Sequence, residues 1–180
     1  MGKQYQDGLT IVTEIKEGAI EDLKMALSLI EADIEENPYI PFGTFDTIHF
    51  CRWVIFEVQS GLGQQRFPPT LVFSTNFDEP FESHQKELYD KGIDGLNLVY
   101  QHCKGYPAEN ERTPERVRDF IVRHNIGYNT LYVGTRGRTV IQIRREADLR
   151  NKIQFYLDKA ICDPEFKNLE PQAVRDKIQE

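Results

Sequence analysis

The sequence predicts an α+β fold, and three observations carry that reading. Three runs have strand composition: LTIVTEIK (9–16), TIHFCRWVIFE (47–57) and TLVFSTNF (70–77), all rich in β-branched and aromatic residues. Between the first two, Ile20, Leu23, Leu27, Ile30 and Ile34 recur at the spacing of one apolar helical stripe. A second helical stretch separates the third run from a fourth strand candidate, NTLYVGT (129–135). The elements follow one another as β-α-β-β-α-(α)-β-α.

Each element has a local reason. Leu9, Ile11, Thr13 and Ile15 alternate along the first strand and give it one face. The first helix is expected to run to about Asn37-Pro38, where proline ends it. SGLGQQRFPP is a long turn, so the second and third strands form a hairpin with an extended connection. Pro80, with acidic residues before it, suits the start of a helix running to about Lys104, and Gly92 and Gly95 predict a break or kink in it. Thr113-Pro114-Glu115 opens another helix, with Val117, Phe120 and Ile121 as its buried face. Thr139-Val140-Ile141-Gln142 has the form of a capping box and opens a long final helix to about Ala160. Residues 1–162 therefore read as one α+β domain, and 163–180 as a C-terminal arm with a short helix near 171–178.

Leaving out the helix at 113–125, the first six elements are the βαββαβ of a ferredoxin-like sandwich. On that element order, over residues 9–135, the chain resembles the dimeric α+β barrel group. The resemblance implies an antiparallel sheet of order 4-1-3-2, with the 9–16 and 70–77 strands side by side. It also implies an open sheet face and a homodimer in which two sheets face each other. Members of the group include haem peroxidase-like proteins, chlorite-dismutase-like proteins and cofactor-free monooxygenases. None of their residue motifs is matched, so no catalytic role is carried over and the cofactor stays undetermined. The helix inserted before the last strand and the long final helix depart from the minimal pattern.

Composition narrows the function classes. With 39% hydrophobic and 28% charged residues the chain suits a globular protein. No apolar run approaches a membrane span, and the start MGKQYQDGLTIV lacks the layout of a secretory signal. Cys51, Cys103 and Cys162 are too few and too scattered for a disulfide framework or a structural zinc site, which favours the cytoplasm. The net charge of -7 argues against nucleic acid as a partner. That total hides an asymmetry: residues 1–112 hold 9 Lys/Arg against 19 Asp/Glu, while 113–152 hold 9 against 4. The basic stretch is either a solvated face or a local anion site.

His49 and Arg52 are the candidate catalytic residues, because both interrupt an apolar strand. Alternation puts them on opposite faces, so they do not form a dyad. Arg52 is expected to be buried, and Glu14 is its candidate partner; the alternative is a ligand carboxylate or phosphate. His49 is either a satisfied core residue or, beside a cavity, a general base or a metal or haem ligand. Thr70, Val72, Ser74 and Asn76 share the more polar face of their strand; either Ser74 and Asn76 floor a ligand cleft there, or Asn76-Phe77-Asp78 is only a strand-end turn. His84 and His124 read as surface residues. Arg136 and Arg138 flank Gly137 ahead of the helix start at Thr139, where backbone N–H groups suit an anion or an acidic side chain. No metal-ligand spacing is present. The sequence thus points to small-molecule binding on an open sheet face, with or without a reaction. A haem-binding peroxidase-like protein and a non-enzymatic protein-interaction module are the alternatives.

Overall fold

The computed structural model describes residues 6–57, 59–60, 66–162 and 172–173. They fall into two compact units, one ending at Val140 and one beginning at Ile141.

In the first unit the strands are β1 (Gln6–Glu14), β2 (Ile48–Phe56), the two-residue β3 (Gln59–Ser60) and β4 (Arg66–Phe67), and β5 (Thr70–Asp78). The long strands form an antiparallel sheet in the order β1-β5-β2, and β3 pairs with β4 within the hairpin connection. The helices of this unit are α1 (Ile20–Glu31), α2 (Phe81–Tyr100) and α3 (Pro114–His124). Alternation along β5 decides which face is covered: Leu71, Phe73, Thr75 and Phe77 are buried, while Thr70, Val72, Ser74 and Asn76 are not. The buried face meets Leu23 and Ile30 of α1, Leu88, Leu96 and Val99 of α2, and Val117 and Phe120 of α3 in one core. The opposite face stays open, with Phe50 77% and Phe56 49% exposed.

Four local expectations are corrected. First, residues 129–135 form no strand. The chain touches the edge of β1 only briefly, where Asn125 bridges to Ile11 and the Ile126 N–H donates to the Thr10 carbonyl at 2.9 Å. Gly127, at φ 65°, follows at once, and Tyr132 is 85% exposed. Strand composition without a paired edge makes no strand. Second, α1 stops at Glu31, short of Pro38, because the buried Asn37 folds back on it. Its Nδ2 donates to the carbonyls of Leu29 and Ile30, at 2.8 and 3.2 Å, and satisfies the last turn.

Third, α2 runs unbroken for 20 residues through both glycines. Gly92 and Gly95 instead make room for the loop at Tyr39 and Ile40: a Cβ on Gly95 would lie 2.6 Å from the Ile40 Cβ. Fourth, His84 is fully buried on the inner face of α2 and is no surface residue. His124 is half-buried, its Nδ1 2.8 Å from the Phe120 carbonyl.

The second unit carries α4 (Val140–Cys162), whose first residue still belongs to the first unit. From Ile141 to Lys159 all its residues are exposed except the half-buried Ile153 and Tyr156. Pairs one turn apart support it, Asp148 with Lys152 at 2.9 Å and Gln154 with Asp158 at 2.8 Å. The predicted arm, 163–180, lies outside the described residues apart from 172–173. No described helix is long and apolar enough to cross a membrane.

Candidate functional site

The open face of the sheet takes its chemistry from a β-bulge. Ile48 pairs with Phe77 and Phe50 with Asn76, so His49 is an extra residue between two regular pairs. Plain alternation had put Ile48 and Phe50 on one face. The bulge sends Ile48 towards the core and leaves Phe50 on the open side. His49 turns towards the end of β5, and its Nε2 lies 2.8 Å from Asp78 Oδ1. Both side chains are nearly sealed, at 7% and 8% exposure.

The second carboxylate oxygen of Asp78 is also engaged. The Val140 N–H donates to Oδ2 at 2.7 Å. Beside it, Gln6 pairs with Asp78 across the sheet and donates from Nε2 to the Arg138 carbonyl at 3.1 Å. The segment before α4 is therefore pinned over one end of the open face. A carboxylate only accepts, so this contact calls for Nε2–H on His49, and in the neutral ring that tautomer carries its lone pair on Nδ1. Nδ1 has no hydrogen-bond partner among the described residues.

Further along the same face, Phe50, Cys51, Arg52, Ser74 and Asn76 line an open cleft of about 360 Å³. Arg52 is exposed, which corrects the expectation that it is buried. Nor does it pair with Glu14, which binds Lys104 instead. No described residue forms an ion pair or hydrogen bond with Arg52. The Cys51 thiol is no ready nucleophile, since burial pushes it up to about 11 and keeps it protonated at neutral pH.

The structure thus brings Arg52, Ser74 and Asn76 together, and leaves His49 next to Phe50 in the chain but facing Asp78. Arg136 and Arg138 are exposed in the turn ahead of α4, where Gly137 takes φ 75°. They do not line the cleft. The sequence offers the first N–H of α4 to an anion or an acidic side chain, and it is the acidic side chain of Asp78 that accepts it. Sequence reasoning missed Asp78 as a site residue. Its signal was available: Asp78 stands two residues after Asn76 and so shares its face. Among the described residues no cluster of three His, Cys, Asp or Glu side chains could hold a metal ion.

Comparison with family models, with curated proteins and with solved structures brings nothing further. Nothing matches. The functional reading therefore stands on the geometry of this face alone.

Proposed function

We propose that the open sheet face binds a small anionic molecule, with the Arg52 guanidinium as its charge clamp. One observation carries the reading: an arginine without a partner stands in a cleft with the side chains of Ser74 and Asn76. A guanidinium matches carboxylate or phosphate oxygens, while the hydroxyl and carboxamide add neutral donors. Phe50 supplies an apolar wall for the rest of the ligand. Titration with inorganic phosphate or benzoate should shift the amides of residues 50–52 and 74–76. Arg52→Met should weaken binding at least tenfold, about 1.4 kcal/mol, without lowering thermal stability, since the guanidinium holds no structural partner. Unchanged affinity in that variant would remove Arg52 from the site.

A second reading is favoured by the His49–Asp78 pair. A histidine whose tautomer is fixed by a carboxylate keeps a basic nitrogen, which is the arrangement of a general base. On this reading His49, which does not itself line the Arg52 cleft, takes a proton from a substrate or water that reaches its Nδ1. Haem remains a separate alternative, and purified protein with no Soret band would end it.

Assembly belongs to the same proposal. With Phe50, Val54 and Phe56 exposed on the open face, two copies facing each other would cover apolar surface and wall the cleft. That is the dimeric form of a ferredoxin-like sheet, here without the last strand. Light scattering at micromolar concentration should give twice the chain mass of 21.0 kDa. A monomer mass at that concentration would leave the face to the ligand alone. The free thiols of Cys51 and Cys103 fit a reducing, cytoplasmic setting.

A further inference from the structure

Strand β2 closes the sheet on one side, and among the described residues nothing pairs with its outer edge. It is nine residues long, IHFCRWVIF; the bulge at His49 blunts one end, and from Phe50 to Phe56 neither lysine nor proline discourages pairing. An edge of this kind offers a row of unmet backbone N–H and C=O groups to a further strand. Beside it, on the helix side, runs a cleft of about 460 Å³ between α1 and β2. Its lining is largely apolar, from Leu27, Ile30, Ile34, Phe42 and Trp53. Arg52 reaches both this cleft and the one on the open face. The two clefts therefore flank the same stretch of β2.

We propose that an extended peptide from a partner protein docks along β2 as a fourth strand of the sheet. The inference rests on the reading of Arg52 as an anion clamp, and it names the anion as an acidic side chain of that peptide. Successive side chains of a strand point to opposite faces. One set enters the apolar cleft between α1 and β2, so the peptide is apolar at every second position. The intervening residue meets Arg52 on the open side and is acidic. Backbone bonds to β2 supply affinity, and the two clefts supply selectivity. Pattern and edge together specify an apolar–acidic–apolar strand.

A second copy of this chain is the less suitable occupant. Its β2 would arrive with its own α1, bringing the two helix flanks together. Each of those flanks carries Glu31 at the cleft, so like charges would meet in a twofold arrangement.

The test titrates the ¹⁵N-labelled full chain with phosphate, and separately with the hexapeptide acetyl-Thr-Ile-Asp-Ile-Thr-Val-amide. Expected are saturable shifts across residues 50–56 and slowed exchange of the outward β2 amides when the peptide is present. N-methylation of the peptide at both Asp and the Ile after it should weaken binding at least tenfold, with charge and side chains retained. Ile34→Gln, at a position 49% exposed and so tolerant of change, should weaken the peptide but leave phosphate within twofold. Phosphate binding without peptide binding, or full binding of the methylated peptide, overturns strand docking and leaves the Arg52 reading in place. Absent phosphate shifts sink the anion reading, whereas edge-protected peptide binding still upholds the docking. Outward β2 amides already protected in the peptide-free protein show the edge to be paired without the peptide, and overturn the proposal.

Discussion

Lowering the pH from 6.5 towards 4 should cost the folded state about 3 kcal/mol through His84 alone. His84 lies in the core, stacked on Phe77 with ring centroids 4.1 Å apart and planes 3° from parallel. Its Nδ1 is 3.1 Å from Thr47 Oγ1, and that hydroxyl donates its one proton to Glu87 Oε2 at 2.6 Å. The Thr47 oxygen must then accept from Nδ1–H, which leaves the lone pair on Nε2. Nε2 is buried with no partner, so a proton added there finds neither water nor acceptor. Burial pushes the imidazole down to about 4 from its ordinary 6.5, and the charge of Glu87 only partly offsets this. Below 6.5 the unfolded chain takes up a proton that the native chain refuses until about 4. Stability is therefore complete above 6.5 and falls as the pH drops, by up to about 1.4 kcal/mol per unit. His102 is lowered as well, by burial, and adds to the slope in the same direction. The measurement that isolates His84 is a set of urea melts from pH 7.5 to 4 on wild type and His84→Asn. Asparagine can still donate to Thr47 but does not titrate. The variant should start less stable at pH 7.5 and lose distinctly less on acidification. Parallel pH curves for the two proteins would show that His84 is not the group responsible.

The elements that sequence reading located well are those whose cause is local. Thr113 and Pro114 start α3 as their chemistry requires, with Thr113 Oγ1 accepting from the Arg116 N–H at 3.3 Å, and Val117, Phe120 and Ile121 are buried. Residues 129–135 failed for the opposite reason. Strand formation depends on an available edge, and composition says nothing of where Gly127 sends the chain. The placement of Ser74 and Asn76 on the outward face followed from alternation, which holds along β5 from Thr70 to Phe77. It failed on β2 because the extra residue at His49 reverses parity, and a bulge has no compositional mark. An Arg52 buried as a charge requires cover on both apolar faces of its strand, whereas the structure covers only one. His84 could have been found. It stands four residues before the buried Leu88, on the stripe continued by Gly92, Leu96 and Val99. The pairing of Asp78 with Val140, 62 residues later, lay beyond any local signal.

Replacing Glu87 by alanine should destabilise the fold by about 3 kcal/mol, because this carboxylate fastens the start of β2 to α2. Its Oε1 accepts from the Asp46 N–H at 2.6 Å, and Oε2 accepts from the Thr47 N–H at 2.9 Å and the Thr47 hydroxyl at 2.6 Å. Lys91, one turn along α2, donates to Oε1 at 2.7 Å. The Glu87 side chain is 9% exposed and that of Lys91 32%, so the pair is more shielded than a surface bridge but open at the lysine end. Burial alone would raise the carboxyl, yet the bonds from Lys91, Thr47 and Asp46 win and hold it below the ordinary carboxylate value. It therefore contributes stability above that ordinary value, and the contribution fades as acid protonates it. Alanine removes every acceptor at once and strands two backbone N–H groups, each costing about 1–3 kcal/mol where water cannot replace the bond. Glutamine keeps one oxygen but turns an NH₂ group towards a donor, so it should cost less than alanine and more than nothing. Hydrogen exchange at Asp46 and Thr47 should quicken in both variants. Denaturation placing Glu87→Ala within about 0.5 kcal/mol of wild type, the range of an ordinary surface change, would contradict this account. The consequence reaches the candidate site, since Thr47 stands two residues before His49. Loosening that anchor should broaden the His49 resonances and weaken phosphate binding near Arg52, although neither residue touches Glu87.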